Sequence, residues 1–413
     1  MTTRQTRCKP VSGFSLIELL VSMVIALVVT LAITSVLLRS EGNKRSTSSV
    51  NDLNQTGSYL AYILDRSIRS AGSGFAQNWT SAFGCIIDSS KNGASILPLP
   101  AAASAPFSNV PLQVRLVPVL IGKGLADTAG QVRGDVLTVM GGTSGGGDMP
   151  QNVATGSVGA STLRVTNALG YTNNDLVLLS DSTVPNNACM MQQVSPLPPT
   201  GVASAVAGDR LYFNNGDYSR DNGSVVNLSS YGSNTVAIQM GNAPGSPPQM
   251  LLYGVGDNNT LFNFDLLRVG GGDVTPVADG VLEMRALYGI DNKAVIDGIL
   301  TNWIDPVAGS GYAFADLTDG SAAARLKMRR IIAVRIGLIL RTSLQERISD
   351  RYYGKYDNST NPASLPTTTL TLFQDLPAAL RQTRAIVGAD NLYRYRTMEF
   401  TVPLRNTQFA PTS

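Results

Sequence analysis

Polarity divides the first seventy residues into three blocks. Residues 1–13 carry Arg4, Arg7 and Lys9 and no acid. Phe14 to Leu38 is predominantly apolar, its only charge is Glu18, and Arg39 closes the run. As a helix rising 1.5 Å per residue, that run is about 37 Å long, enough to cross a hydrocarbon layer of about 30 Å. Beyond it Val50, Leu53, Gly57, Leu60, Leu64, Ser67 and Ala71 recur every three or four residues. This spacing predicts that the helix continues with a narrow stripe packed on a sheet, and Gly72 and Gly74 supply its stop.

Past residue 75 the period shortens. Strands are predicted over 112–121, 135–140, 162–166, 176–180, 210–214, 236–240, 250–254 and 261–269, separated by Gly, Asn, Ser and Pro. Alternation is clearest where Ile332, Val334, Ile336, Leu338 and Leu340 share one face with Arg335 and Arg341 opposite. Met398, Phe400, Val402 and Leu404 alternate in the same way with Thr397, Glu399 and Thr401. Val277, Val281, Met284 and Tyr288 fit a short helix, which could run into a strand. Residues 141–160 and 353–368 read as loops. The expected fold is α+β, a long N-terminal helix packed on an antiparallel β-sheet domain with large loop insertions.

The apolar run does not suit a secretory signal peptide, whose core of about 7–15 residues precedes a small-x-small cleavage site. Here the small residue, Gly13, comes before the run, and the run is too long. Glu18 is the second anomaly, because a carboxylate inside a membrane span costs roughly 2.5–3.5 kcal/mol. Either it snorkels to the headgroups or it meets a cation. Cleavage after Gly13 would make one, the α-amino group of Phe14, about a turn away in the same helix and within reach of a neighbour's Glu18 in a packed array.

The segment Gly13-Phe14-Ser15-Leu16-Ile17-Glu18-Leu19-Leu20 resembles the processing site of type IV prepilins. That resemblance implies cleavage between Gly13 and Phe14 by a membrane-embedded prepilin peptidase, N-methylation of Phe14, and a role for Glu18 in guiding the subunit into a filament. The implied divisions are a leader at 1–13, a membrane and assembly half-helix at 14–39, a periplasmic half at 40–72 and a globular β-rich pilin domain at 73–413. The family's usual helix-kinking Pro is missing, since no Pro lies between Pro10 and Pro98. That implies a straighter helix, or one whose melting on assembly relies on Gly42. Arg4, Arg7 and Lys9 would hold the N-terminus in the cytoplasm of a bacterial cell, leaving the rest outside the inner membrane.

A narrower resemblance lies in the C-terminal third. Val277-Ala278-Asp279-Gly280-Val281, Tyr288-Gly289-Ile290-Asp291, Ile332-Ala333-Val334-Arg335-Ile336 and Met398 to Leu404-Arg405-Asn406 are similar to PilW-type minor pilins. The implied partners are other minor pilins, a major pilin, the peptidase, an inner-membrane assembly platform and, before assembly, membrane lipid. The implied work is to prime a type IV pilus and to sit at its tip, with adhesion, twitching motility or DNA uptake downstream. The alternatives are a type II secretion pseudopilin, or an adhesin or enzyme displayed on a pilin helix; a pocket of acidic or aromatic residues in the middle of the chain would favour the latter.

Charge and cysteine content refine this picture. The chain has 32 basic and 29 acidic side chains, and Arg4, Arg7 and Lys9 account for the whole excess, so the region after the leader is formally neutral. Nucleic acid is therefore not an expected partner, except through the cluster Arg325, Lys327, Arg329 and Arg330, which reads first as a charged strand entrance. Cys8 falls in the leader, which leaves Cys85 and Cys189 as an expected disulfide rather than two buried thiols. The absence of His excludes His-dependent triads and zinc motifs. Gly142-Thr143-Ser144-Gly145-Gly146 spells a nucleophile elbow but has no His base, and no enzyme is expected. No cofactor is expected either. The loops at 217–221, 291–297 and 316–319 carry acids that suit Ca²⁺ but lack EF-hand spacing, and they read as solvated turns. Tyr352, Tyr353, Tyr393 and Tyr395 could face a ligand or pack.

Overall fold

The computed structural model describes residues 13, 15–127, 134–144, 150–154, 161–195, 209–214, 216–268, 274–352, 355–356 and 359–408. Helix α1 runs unbroken from Leu16 to Arg69, with Gly42 inside it. No Pro interrupts the ladder and the apolar period carries through. The helix stops at Ser70, and Gly72, in the left-handed region at φ +79°, turns the chain away and donates its N–H to Met140 O at 2.8 Å.

The two halves of α1 have opposite environments. From Leu16 to Leu37 the large apolar side chains are between 49 and 80% exposed. From Leu53 onward the predicted stripe is buried: Leu53, Leu60, Leu64, Ser67 and Ala71 turn inward, joined by Ile68, while Val50 is half-buried. Gly57 is the point of closest approach. A Cβ there would stand 2.9 Å from Leu340 Cδ1 and 3.0 Å from Met398 Sδ, so glycine lets the helix backbone settle on the sheet.

Nineteen strands follow among the described residues. The first ten are β1 (Ile86–Lys91), β2 (Ala94–Leu97), β3 (Val119–Gly122), β4 (Val136–Gly141), β5 (Gln151–Asn152), β6 (Thr162–Arg164), β7 (Asp175–Ser180), β8 (Ala188–Gln193), β9 (Arg210–Tyr212) and β10 (Val236–Asn242). The others are β11 (Gln249–Gly256), β12 (Thr260–Asp265), β13 (Thr275–Asp279), β14 (Val281–Ile290), β15 (Asn302–Ile304), β16 (Ile331–Arg341), β17 (Thr368–Leu372), β18 (Gln382–Ile386) and β19 (Tyr395–Pro403). They form three main sheets, ordered β2-β1-β8-β7-β10-β5, β13-β12-β11-β4-β3 and β15-β14-β16-β19, with small pairs β17-β18 and β6-β9. The buried half of α1 and strands from all three main sheets share one core.

The expected α+β fold is present, with three sheets where one was anticipated. Two expectations need correcting. Residues 277–288 are not a helix. They form β13, a turn at Gly280 with φ +80°, and β14. The helical spacing is incidental, because β14 is buried on both faces: Met284, Ala286 and Tyr288 enter the main core, and Leu287 packs with Ile339, Leu372 and Phe373 on the other side. The predicted strand at 112–121 shrinks to Val119–Gly122, since Pro111 and Pro118 supply no ladder N–H.

Cys85 and Cys189 are bonded, 104 residues apart in sequence. The bridge sits where β1 and β8 run parallel, with Ile87 opposite Cys189, whereas the other named strand pairs are antiparallel. A parallel pair closes only after a long crossover, so this bridge fixes a distant return of the chain. Replacing both cysteines by serine is expected to lower stability by about 2–4 kcal/mol, read as a shift of the denaturant midpoint of the full chain. An unchanged midpoint would show the bridge to be dispensable.

Candidate assembly site

The candidate site begins at the start of α1. Ser15 is its N-cap and its Oγ accepts from Ile17 N at 3.3 Å, while Glu18 is the acid of the first turn. Ser15 and Glu18 stand at the spacing of a capping box, a local signal carried by the sequence. Glu18 is exposed, as are the apolar side chains that follow it on every face of the helix. Among the described residues α1 is the one helix long and apolar enough to cross a membrane. Gly13 precedes the helix in the open, whereas Phe14 and leader residues 1–12 lie outside the described residues.

The other end of α1 is clamped. Ser67 Oγ accepts from Gln249 Nε2 and from Tyr253 Oη, and Ser70 Oγ donates to Gln249 Oε1 at 2.8 Å. Asn406 Nδ2 donates to Ala71 O at 2.9 Å and reaches Ser70 O at 3.3 Å, satisfying carbonyls that a helix end leaves open. Burial pushes the Tyr253 hydroxyl above its usual range, with the Ser67 bond pulling it part of the way back.

Sequence reading missed two ionic groups because their partners are distant in the chain. Asp135, fully buried, accepts from Arg285 Nη1 at 3.0 Å, Ala286 N at 3.0 Å and Gly124 N at 3.1 Å. Lys123 lies 3.9 Å from Asp135 and 2.7 Å from Asp305, and Arg285 Nε also donates to Glu283 at 2.5 Å. Burial holds the Asp135 carboxyl above the ordinary carboxylate range, with Lys123 and Arg285 opposing. On the outer face of β16, Arg335 grips Asp375 with two bonds of 2.6 and 2.8 Å and Glu399 with one of 2.7 Å.

Most of the remaining sequence candidates are engaged in the fold. The basic cluster lies on the helix Ala322–Arg330, directly before β16. Arg325 donates to Gly320 O, Arg329 stacks 5.1 Å from the Trp79 ring, and Arg330 bonds Asp291 O and Lys293 O. Asp291 accepts from the N–H groups of Lys293, Asp297 and Gly298, Asp297 pairs with Lys293, and Asp221 takes the Ser161 hydroxyl. Among the described residues no group of three or more acids, His or Cys is placed to hold a metal.

Ser144 donates to Gln239 O, and the remainder of the elbow pattern, Gly145 onward, lies outside the described residues. Tyr352 stacks edge-on with Tyr356, Tyr393 lies 4.1 Å beneath Arg341, and the Tyr395 hydroxyl, donating to Asp390 O, is pushed up to about 12 by burial. Tyr353 lies outside the described residues. Of two surface clefts, one of about 370 Å³ is lined by Pro111, Leu125, Pro306, Val307 and Phe314. The other, of about 320 Å³, is lined by Gln113, Arg115, Asn186, Asn187 and Asp319. Neither gathers acids or aromatic rings.

An exposed apolar half-helix, continuous with a half buried in a β-rich domain, defines a membrane-anchored, pilin-like subunit. Two family models match parts of the chain. The prokaryotic N-terminal methylation motif matches residues 8–37, and Type IV Pilus-assembly protein W matches residues 253–406. The chain is thus similar to prokaryotic N-methylated proteins over residues 8–37 and to a type IV pilus-assembly protein over residues 253–406, and both matches imply a type IV pilus system. The PilW match runs from within β11 to Asn406, the residue that caps α1. Comparison with curated proteins and with solved structures finds no match.

Proposed function

We propose that this chain is a minor pilin that helps to prime assembly of a type IV pilus and takes a place at its tip. The observation that carries the reading is α1, whose Leu16–Leu37 half has its large apolar side chains exposed while its Leu53–Ala71 half is locked in the domain core. Such a subunit rests in lipid until equivalent helices replace the lipid around it. The prepilin peptidase cuts between Gly13 and Phe14, Phe14 is N-methylated, and Glu18 then meets the N-terminal amine of a neighbouring pilin. The basic leader keeps the N-terminus in the cytoplasm, so the domain folds in the periplasm, where the Cys85–Cys189 bond is stable.

The test is the intact mass of the chain recovered from membranes. The expected species begins at Phe14 and carries one methyl group, and Gly13→Val retains residues 1–13. A wild-type chain that keeps its leader, or is cut elsewhere, would remove the proposal. A type II secretion pseudopilin shares every feature of α1. Co-recovery with a major pilin in sheared filaments supports the pilus reading, and loss of exoprotein secretion on deletion supports the other.

A further inference from the structure

The third sheet leaves one long edge open. In the order β15-β14-β16-β19, strand β19 is paired on one side only among the described residues. The ladder phase follows from two flanking bonds: Leu404 N donates to Ile332 O at 2.8 Å, and Thr342 N donates to Arg394 O at 2.9 Å. Residues facing each other in this register sum to 736, as in Val334 with Val402 and Ile336 with Phe400. Even-numbered residues of β19 therefore spend their backbone groups on β16. The N–H and C=O of Tyr395, Thr397, Glu399 and Thr401 point away from it, at spacings of about 6.8 Å.

Natural sheets blunt such edges with proline, bulges, charge or shortness. The other edges of the three main sheets follow that rule: β15 has three residues, β5 two, β2 and β3 four each, and β13 carries Pro276. In β19 the nine residues hold no proline before Pro403. The carboxylate of Glu399 is drawn inward to Arg335 and the Phe373 N–H. Thr397 and Thr401 are exposed, and Met398 and Phe400 remain half-exposed on the face that meets α1, where Gly57 approaches Met398. On that same face Arg396 is exposed, with no carboxylate within salt-bridge distance among the described residues.

We infer that the β19 edge accepts an extended strand from a second, different pilin-like subunit, an inference that rests on the reading under Proposed function. An array of main-chain donors and acceptors at strand spacing fits one ligand chemistry, an extended peptide segment. The side chains on the α1 face set its pattern: two apolar residues at alternate positions lie over Met398 and Phe400, and an acid faces Arg396. A second copy of β19 added antiparallel, as the other strands of this sheet pair, cannot supply that acid. Its even positions are Arg396, Met398, Phe400 and Val402, and any antiparallel register that pairs the free odd positions places these against each other. Because α1 lies against the same sheet, the strand contact forms beside the helix contact.

The experiment is hydrogen exchange on the full chain in detergent, alone and as the complex purified after co-expression with the pilin-like subunits of its own system. The expected result is that the amides of Thr397, Glu399 and Thr401 exchange at least about a hundredfold more slowly in the complex. Those of Met398, Phe400 and Val402, already bonded to β16, should not change. A complex that forms without this protection overturns the inference and leaves the pilin reading standing. No complex at all overturns both. Protection that appears in the chain alone and grows with its concentration assigns the edge to self-pairing and also overturns it. Thr397→Pro removes an outward donor without removing a bond to β16, so complex yield is expected to fall more than tenfold while Thr397→Val retains it. Wild-type yield from Thr397→Pro would count against the inference.

Discussion

Glu18→Ala is expected to leave cleavage after Gly13 intact and to lower recovery of the chain in sheared filaments by about a hundredfold. The reason is a difference between two environments. In lipid, a carboxylate in a membrane helix carries a cost of up to roughly 2.5–3.5 kcal/mol, the value at the helix centre. In the proposed packed array of such helices the amine of a neighbouring subunit would neutralise it. The charge therefore drives transfer from lipid to array by a similar amount, and 2.8 kcal/mol is about a hundredfold. Alanine rests comfortably in lipid and loses that drive. Cleavage depends on Gly13 and the residues next to it, so it should survive. Glu18→Gln keeps the shape without the charge and should fail in the same way. Wild-type recovery of both variants would remove Glu18 from the mechanism.

Asp135→Ala is expected to destabilise the domain by about 3–5 kcal/mol. The substitution leaves the Arg285 guanidinium and the N–H groups of Gly124 and Ala286 without their shared acceptor in a buried joint between β4 and β14. Denaturation of the full chain measures it, and a loss below about 1 kcal/mol would mean that water or Glu283 takes over. Asp135→Asn separates charge from hydrogen bonding. Burial raises the folded-state pKa of Asp135, so the native state binds its proton more tightly than the unfolded chain. The contribution tied to that proton is fully present below the unfolded pKa near 3.9 and is lost as pH rises through the higher folded value. Wild type should therefore gain stability relative to Asp135→Asn as pH falls through that window, and a constant gap would contradict the assignment.

The parts of this molecule legible in its sequence are those whose physics is local. Helix α1 announces itself twice, first by an unbroken apolar run and then by a 3.6-residue stripe, and its stop at Gly72 is a single-residue signal. Gly13 and Glu18 stand out because a leader and a lone buried-type charge are recognised by their immediate neighbours. Strand β8 gave no such signal. Ala188 to Gln193 contains no β-branched residue and no alternation, yet it is buried throughout, because it lies inside a sheet with the disulfide at its start. Strand β1 reads as polar, since Asp88 is buried only through the N–H groups of Ser224, Val225 and Val226, more than a hundred residues away. Alternation alone places Arg335 on the outer face, but its partners Asp375 and Glu399 lie 40 and 64 residues downstream. The order of three sheets is a property of such long-range pairings and has no local trace.

The clamp at the end of α1 has a mechanical consequence. In the proposed filament, tension would enter this subunit along the axis of α1, through the exposed half of the helix. It leaves through several bonds loaded together: the Leu53–Ala71 stripe, the Gly72–Met140 bond, the Gln249 and Tyr253 contacts on Ser67, and the Asn406 amide on Ser70 and Ala71. These contacts come from β4, β11 and the segment after β19, so traction is spread over two sheets and sliding the helix out requires breaking them together. Asn406 ties the last described turn of the chain to the end of its first helix, and the pull is thereby borne by both ends of the domain at once.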